Sequence, residues 1–199
     1  MQHFTEMAKT WDTPEKVERN IQYANEIKNF LPKDHSLKIL DIGCGTGLLG
    51  GQFLNETNTL IGVDTSSGML EVFNGKFQGL NNSKSYLMDM TKTDLPETGF
   101  DLIVSAMAFH HIKDTFPMLS ILKEKLNKNG ILAIIDLDEE DGSFHPDPKN
   151  MGVHHFGFSK DQNISWAKET GVELLERKIV HTVEKNEKAY PIFLAVYKK

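Results

Sequence analysis

Cysteine is almost missing, long apolar runs are missing, and basic residues are outnumbered. The single cysteine of the 199 residues, Cys44, leaves no partner for a disulfide within the chain and suits a reducing compartment. The longest apolar runs, such as ILAII at 131–135, are far below the ~20 residues that a membrane-spanning helix needs. No charged-then-apolar leader opens the sequence. These absences predict a cytoplasmic protein with no membrane partner. Lys and Arg total 22 against 28 Asp and Glu, a net charge of −6, so a general nucleic-acid-binding surface is not expected. No internal repeat and no low-complexity tract interrupts the chain. What remains is ordinary: 39% hydrophobic and 25% charged residues, enough for one domain with a proper core.

The most informative stretch is KILDIGCGTG at 38–47. A short apolar strand runs into Asp41, and Gly43, Gly45 and Gly47 follow at alternate positions. Glycine turns tightly without a Cβ penalty and lets a ligand touch the backbone. The residues after this loop, Thr46–Glu56, read as a helix, whose first N–H groups would face a bound anion. Counted from Gly45, GTGLLG also fits the dinucleotide signature G-x-G-x-x-G, and Asp64 follows near the ~20-residue distance of a ribose-binding acid. A nicotinamide-dinucleotide site, another nucleoside ligand, and a glycine-rich turn with no ligand are all open at this point.

The rest of the chain alternates. Thr13-Pro14-Glu15 starts a helix with a capping hydroxyl and a first-turn proline. Val17, Ile21, Ala24, Ile27 and Leu31 form its apolar face, and Pro32 stops it. Strands are expected at Leu37–Ile42, Thr59–Val63, Lys84–Met88, Phe100–Ser105 and Ile131–Leu137, with helices from Ser66 or Ser67 to about Leu80 and from Asp114 to Asn127. Such alternation predicts an α/β fold, a parallel sheet covered on both faces with right-handed crossovers. Residues 138–158 read as loop, and Ser159–Thr170 as a helix ending at Gly171. Val172–Glu184 and Ala189–Tyr197 read as a hairpin about the turn Lys185–Lys188. That gives seven strands, mostly parallel, with an antiparallel C-terminal hairpin strand, where a nicotinamide-binding Rossmann domain continues with a sixth parallel strand.

Acids end several strands. Asp64 closes IGVD and suits the two hydroxyls of a ribose, or it simply caps the helix behind Ser66. Asp89 closes YLMD and suits an adenine amino group, with Met69 and Met90 as apolar walls or as core. DIGCGTG, GVDTS, LMDMTKTDLP, GFDLIVSAMAFHHI and NGILAIIDLD, in this order, resemble class I S-adenosylmethionine (SAM) dependent methyltransferases, in particular the small ubiquinone/menaquinone-biosynthesis type. The resemblance is good over 38–138 and looser over the N-terminal FTEMAKTWD and the terminal hairpin. It implies a single SAM-dependent methyltransferase domain over 1–199, with 1–31 as an N-terminal helical lid. Asp41, Gly43, Cys44, Gly45 and Gly47 would hold the methionine part of SAM. Asp64 with Thr65 would hold the ribose, and Asp89, Met69 and Met90 the adenine. Ser105 would lie beside the methyl-donor end, with Trp11 and Arg19 in the lid. Met90 departs from the small residue usual there, which alters the adenine pocket that the resemblance implies.

Residues 142–158 leave the fifth strand at the carboxyl edge of the sheet, where ligands of open α/β folds bind. They predict an acceptor pocket lined by Phe144, Phe156 and Phe158, with Phe4 and His110. His145, His154 and His155 are the candidate general bases, because an imidazole near neutral pKa can take a proton from a hydroxyl or thiol acceptor. The alternative is an ordinary surface loop with its aromatics packed beneath it. No metal is expected, because H-E-x-x-H is absent and DLDEEDG fails the calcium-loop pattern. The implied function is methyl transfer from SAM, releasing S-adenosylhomocysteine, to a small-molecule acceptor by a monomer or homodimer. A nicotinamide oxidoreductase is the rival, although no tyrosine is followed by a lysine four residues on. A non-catalytic SAM-binding module is the other.

Overall fold

The computed structural model describes residues 2–33 and 35–199. Its centre is one seven-stranded sheet: β1 (Lys38–Ile42), β2 (Thr59–Asp64), β3 (Ser83–Leu87), β4 (Phe100–Ala106), β5 (Leu126–Leu137), β6 (Glu173–Lys185) and β7 (Lys188–Lys198). The spatial order is β3-β2-β1-β4-β5-β7-β6. The pairs β1/β2, β1/β4, β2/β3 and β4/β5 are parallel. Only β7 runs the other way, antiparallel to both β5 and β6. Asn186 and Glu187, both at positive φ, turn β6 into β7, the backbone a two-residue hairpin loop requires.

Five helices accompany the sheet: α1 (Gln2–Met7), α2 (Pro14–Lys28), α3 (Ser67–Lys76), α4 (Thr115–Lys125) and α5 (Lys160–Thr170). Their ends follow local chemistry. The Thr13, Ser66 and Ser159 hydroxyls accept from backbone N–H groups three residues on, caps worth about 1 kcal/mol each. Gly171, at φ +69, closes α5 in the left-handed conformation. Alternate strand residues face opposite sides. Ile39 joins Tyr23 and Ile27 of α2 and Phe73 of α3 in one core. Leu40 and Ile42 join Leu119 and Leu122 of α4 and Trp166 of α5 in the other. Among the described residues no helix is long and apolar enough to cross a membrane.

One expected element is absent. Thr46–Glu56 is not a helix but a run of turns followed by a single 3-10 turn, Gly50–Phe53. Gly47, Gly50 and Gly51 lower helix propensity here, and the Gly50 N–H donates to the Asp41 carboxylate at 2.9 Å, outside any helical ladder. The fifth strand, in turn, begins five residues earlier than expected, at Leu126, and takes a register shift opposite Phe100 and Leu102.

Candidate active site

A cleft of about 800 Å³ opens at the carboxyl ends of β1, β2 and β4. Its floor is the glycine loop. Gly43, Gly45 and Gly47 all have positive φ, but their missing side chains serve different neighbours. A Cβ on Gly43 would lie 2.4 Å from the Ala108 Cβ, and one on Gly47 would meet Phe73 at 2.7 Å. These two allow chain to pack on chain. A Cβ on Gly45 would find only Met69, at 3.9 Å, so Gly45 is the glycine with room above it. Gly47 faces Phe73 and Phe77 and is not on the cleft wall.

Carboxylates fix this loop. Asp64 accepts the Gly45 N–H and the Ser66 N–H, each at 2.8 Å. It therefore ties the loop to the start of α3 while lining the cleft. Burial pushes its pKa up, against the pull of those N–H groups. Asp41 is 2% exposed. Its burial raises its pKa to about 7, opposed by the Gly50 N–H and reinforced by the charge of Asp64. Asp89 also lines the cleft, and its oxygens are engaged by Thr91 and by the Lys92 ammonium at 2.8 Å. Cys44, Thr65, Met69 and Met90 complete that end. Ser105 does not: it is fully buried, and its hydroxyl donates to the Ile42 carbonyl at 2.9 Å, bracing β1 against β4.

The N-terminal segment adds Phe4, Trp11, Lys16 and Arg19 to the cleft lining. Thr5 shares a 3.0 Å hydrogen bond with Ser66, and Asp12 pairs with Lys76 at 2.8 Å and accepts from the Thr46 hydroxyl. Phe4 stands edge-on to both Trp11 and His111, at 5.8 and 5.4 Å between ring centres. The Lys16 ammonium lies 3.3 Å above the Trp11 ring, and all four residues line the cleft. α2 contributes two groups whose chemistry asks for a ligand. Arg19 Nε and the Tyr23 hydroxyl are buried without a hydrogen-bond partner among the described residues, and both side chains line the cleft. Buried donors left unpaired are costly, and a carboxylate between them would satisfy both. The periodicity of α2 assigned Tyr23 to no role, because an aromatic on a helix reads as core.

Ile112, Pro117, Met118, Ile121 and Met151 add an apolar wall, beside Lys113 and Asp114, and Met118, Ile112 and Ile121 share a hydrophobic cluster with Met90. Here the loop 142–158 behaves differently from expectation. His154 reaches the cleft, but Phe144, Phe156 and Phe158 do not line it. Phe158 is fully buried against Trp166, and Phe144 packs on Tyr190. Phe156 is 47% exposed and lies beside Gly142. The loop is pinned by its backbone: His154 and His155 N–H groups donate to the His110 carbonyl at 2.9 and 3.2 Å. Phe144 and Phe158 pack inward, on Tyr190 and on Phe193, while Phe156 stays at the surface. His155 Nε2 meets the Ile112 carbonyl at 2.9 Å, so it tethers the loop. His110 is 1% exposed, bonded through Nδ1 to Asp136 at 2.6 Å, and lies behind the cleft wall that His111 forms. His145 stacks behind it, 4.9 Å between ring centres. Burial, with the neighbouring His110, holds the pKa of both His111 and His145 down to about 4.

The fold is that of a Rossmann-like sheet with one reversed strand beside a nucleoside-sized cleft. Residues 39–130 match the family model described as a methyltransferase domain. An uncharacterized methyltransferase of Schizosaccharomyces pombe is 34% identical over 152 residues, 69% of this chain and 53% of the relative. The chain thus spans about half the length of that curated relative. The crystal structure of a SAM-dependent methyltransferase from Aquifex aeolicus superposes with a TM-score of 0.71 at 20% identity, covering 98% of this chain and 97% of the other. Phosphoethanolamine N-methyltransferase 2 of Haemonchus contortus, solved with SAM, gives 0.71 at 19% identity, over 87% of this chain and 51% of that one. The chain has the fold of these SAM-dependent methyltransferases, and its residues 39–130 carry the methyltransferase-domain match.

Proposed function

We propose that this chain transfers the methyl group of SAM to a small acceptor with an apolar body. One observation carries the reading: a single cleft brings the glycine loop, with Asp41 and Asp64, together with the apolar side chains of Ile112, Met118 and Ile121. Asp64 accepts from the ribose hydroxyls, and Asp89 with Met69 and Met90 receives the adenine. Arg19 and Tyr23 take the methionine carboxylate, and Asp41 answers its ammonium. SAM supplies a methyl group on a positive sulfonium. The protein's part is to align the acceptor and exclude water, which is most of what such a displacement needs. Phe4 and Trp11 shut the opening. Where the acceptor must lose a proton, His154 is the base, because His111 is held too acidic to accept one readily near pH 7. Acceptors of this kind, with no nucleic acid or membrane, agree with the acidic surface and with a cytoplasmic monomer or homodimer.

The test is calorimetric titration with SAM, S-adenosylhomocysteine and NADH, followed by incubation with methyl-labelled SAM and a panel of small hydroxyl, thiol and amine acceptors. Micromolar SAM binding and label transfer support the reading. Binding of NADH with none of SAM overturns it.

A further inference from the structure

His110 and His111 follow β4, and His145 lies in the loop after β5. One ring nitrogen from each comes within 4.8 Å of the other two. We propose that these three histidines form a site for one divalent transition-metal ion, zinc being the best match. The ring centres are 4.2, 4.9 and 5.9 Å apart. A tetrahedral ion about 2 Å from each nitrogen sits about 3.2 Å from each ring centre and spaces the centres about 5 Å apart. The three observed spacings bracket that value.

The hydrogen bonds around the rings argue independently. A metal-binding histidine commonly donates its other N–H to a carboxylate or a backbone carbonyl, which fixes tautomer and orientation. His110 does the first, from Nδ1 to Asp136 at 2.6 Å. Asp136 is itself fully buried and held by the Leu137 N–H at 2.7 Å. His111 does the second, from Nδ1 to the Gly152 carbonyl at 3.0 Å. Both rings are therefore left with a lone pair on Nε2. His145, 9% exposed, is set by the edge of Phe144 at 4.8 Å between centres. Three imidazoles leave a fourth position, and of the three rings His111 lies on the cleft wall. An ion there would bind an acceptor oxygen or sulfur and lower its pKa. This last consequence rests on the proposed methyl transfer, whereas the site itself does not.

The experiment is metal binding without catalysis. Chelator-stripped full-length protein is titrated with zinc by calorimetry and with cobalt by visible absorption. One ion per chain and the intense cobalt band of a tetrahedral site are expected. His145→Ala, on a loop, should weaken zinc more than tenfold with an unchanged circular dichroism spectrum, and Asp136→Asn should weaken it 10–100-fold. His181→Ala, outside the cluster, should bind as the parent does. Less than a tenth of an ion per wild-type chain, or stoichiometric zinc unaffected by His145→Ala, overturns the proposal, whatever SAM does.

Discussion

Asp64 holds Gly45: its carboxylate accepts the Gly45 backbone N–H at 2.8 Å. One side chain thus shapes the loop and lines the cleft. Asp64→Ala should weaken SAM binding by about 1–3 kcal/mol, the range for a lost charged hydrogen bond. Because the loop loses its clamp as well, the ligand-free melting temperature should fall by several degrees. Calorimetry and thermal melts read the two effects separately. A drop in melting temperature with unchanged SAM affinity would leave Asp64 as a clamp alone.

Asp41 predicts an inverted pH dependence. In the folded chain it keeps its proton up to about pH 7, whereas an unfolded aspartate releases it near pH ~3.9. Between those values the folded state binds more protons, so Asp41's contribution to stability falls as pH rises, by on the order of 4 kcal/mol, and levels off above 7. Asp41→Asn should remove this slope, seen as the difference from wild type in urea unfolding at pH 4.5, 6 and 7.5. SAM affinity should rise from pH 6 to 8 in the wild type, as a cationic ligand favours the ionised carboxylate.

The N-terminal segment should matter more to the ligand than to the fold. Among its described side chains before Trp11, only Ala8 is buried, and Met7 is 41% exposed. Deleting residues 1–12 should cost at least tenfold in SAM affinity and only a few degrees in ligand-free melting temperature. A collapse of the ligand-free protein would make the segment part of the core.

His154 and Phe158 lie four residues apart and should fail differently. Phe158→Ala empties a fully buried site and should cost about 3–5 kcal/mol of stability. His154→Ala should leave stability unchanged. With an acceptor in hand it should lower turnover about 10²–10⁴-fold at intact SAM affinity. Equal turnover in wild type and His154→Ala would remove His154 from the chemistry.

The strands and their terminal acids were legible because short continuous apolar runs, buried on both faces of the sheet, and strand-end carboxylates are local signals. Asp41, Asp64 and Asp89 all line the cleft. The helix after the glycine loop was misread because apolar Leu48, Leu49 and Phe53 mimic a helical face, while Gly50 turns its N–H to Asp41. The loop aromatics were misread because composition does not say which way a loop faces. The histidine trio was invisible for the same reason: it forms only where the β5 loop returns over the β4 loop.

The two rims of the sheet have a further consequence. Outermost β3 is only five residues long. At the other rim β6 runs for thirteen, with Ile179 44% exposed, a strand open to pairing with another chain. Two register shifts break its line, and Glu173, Glu176, Arg177, Lys178, Glu184 and Lys185 stud it with charge. Kinked, charged rims resist strand addition. Edge-to-edge aggregation is thereby disfavoured at both ends of the sheet.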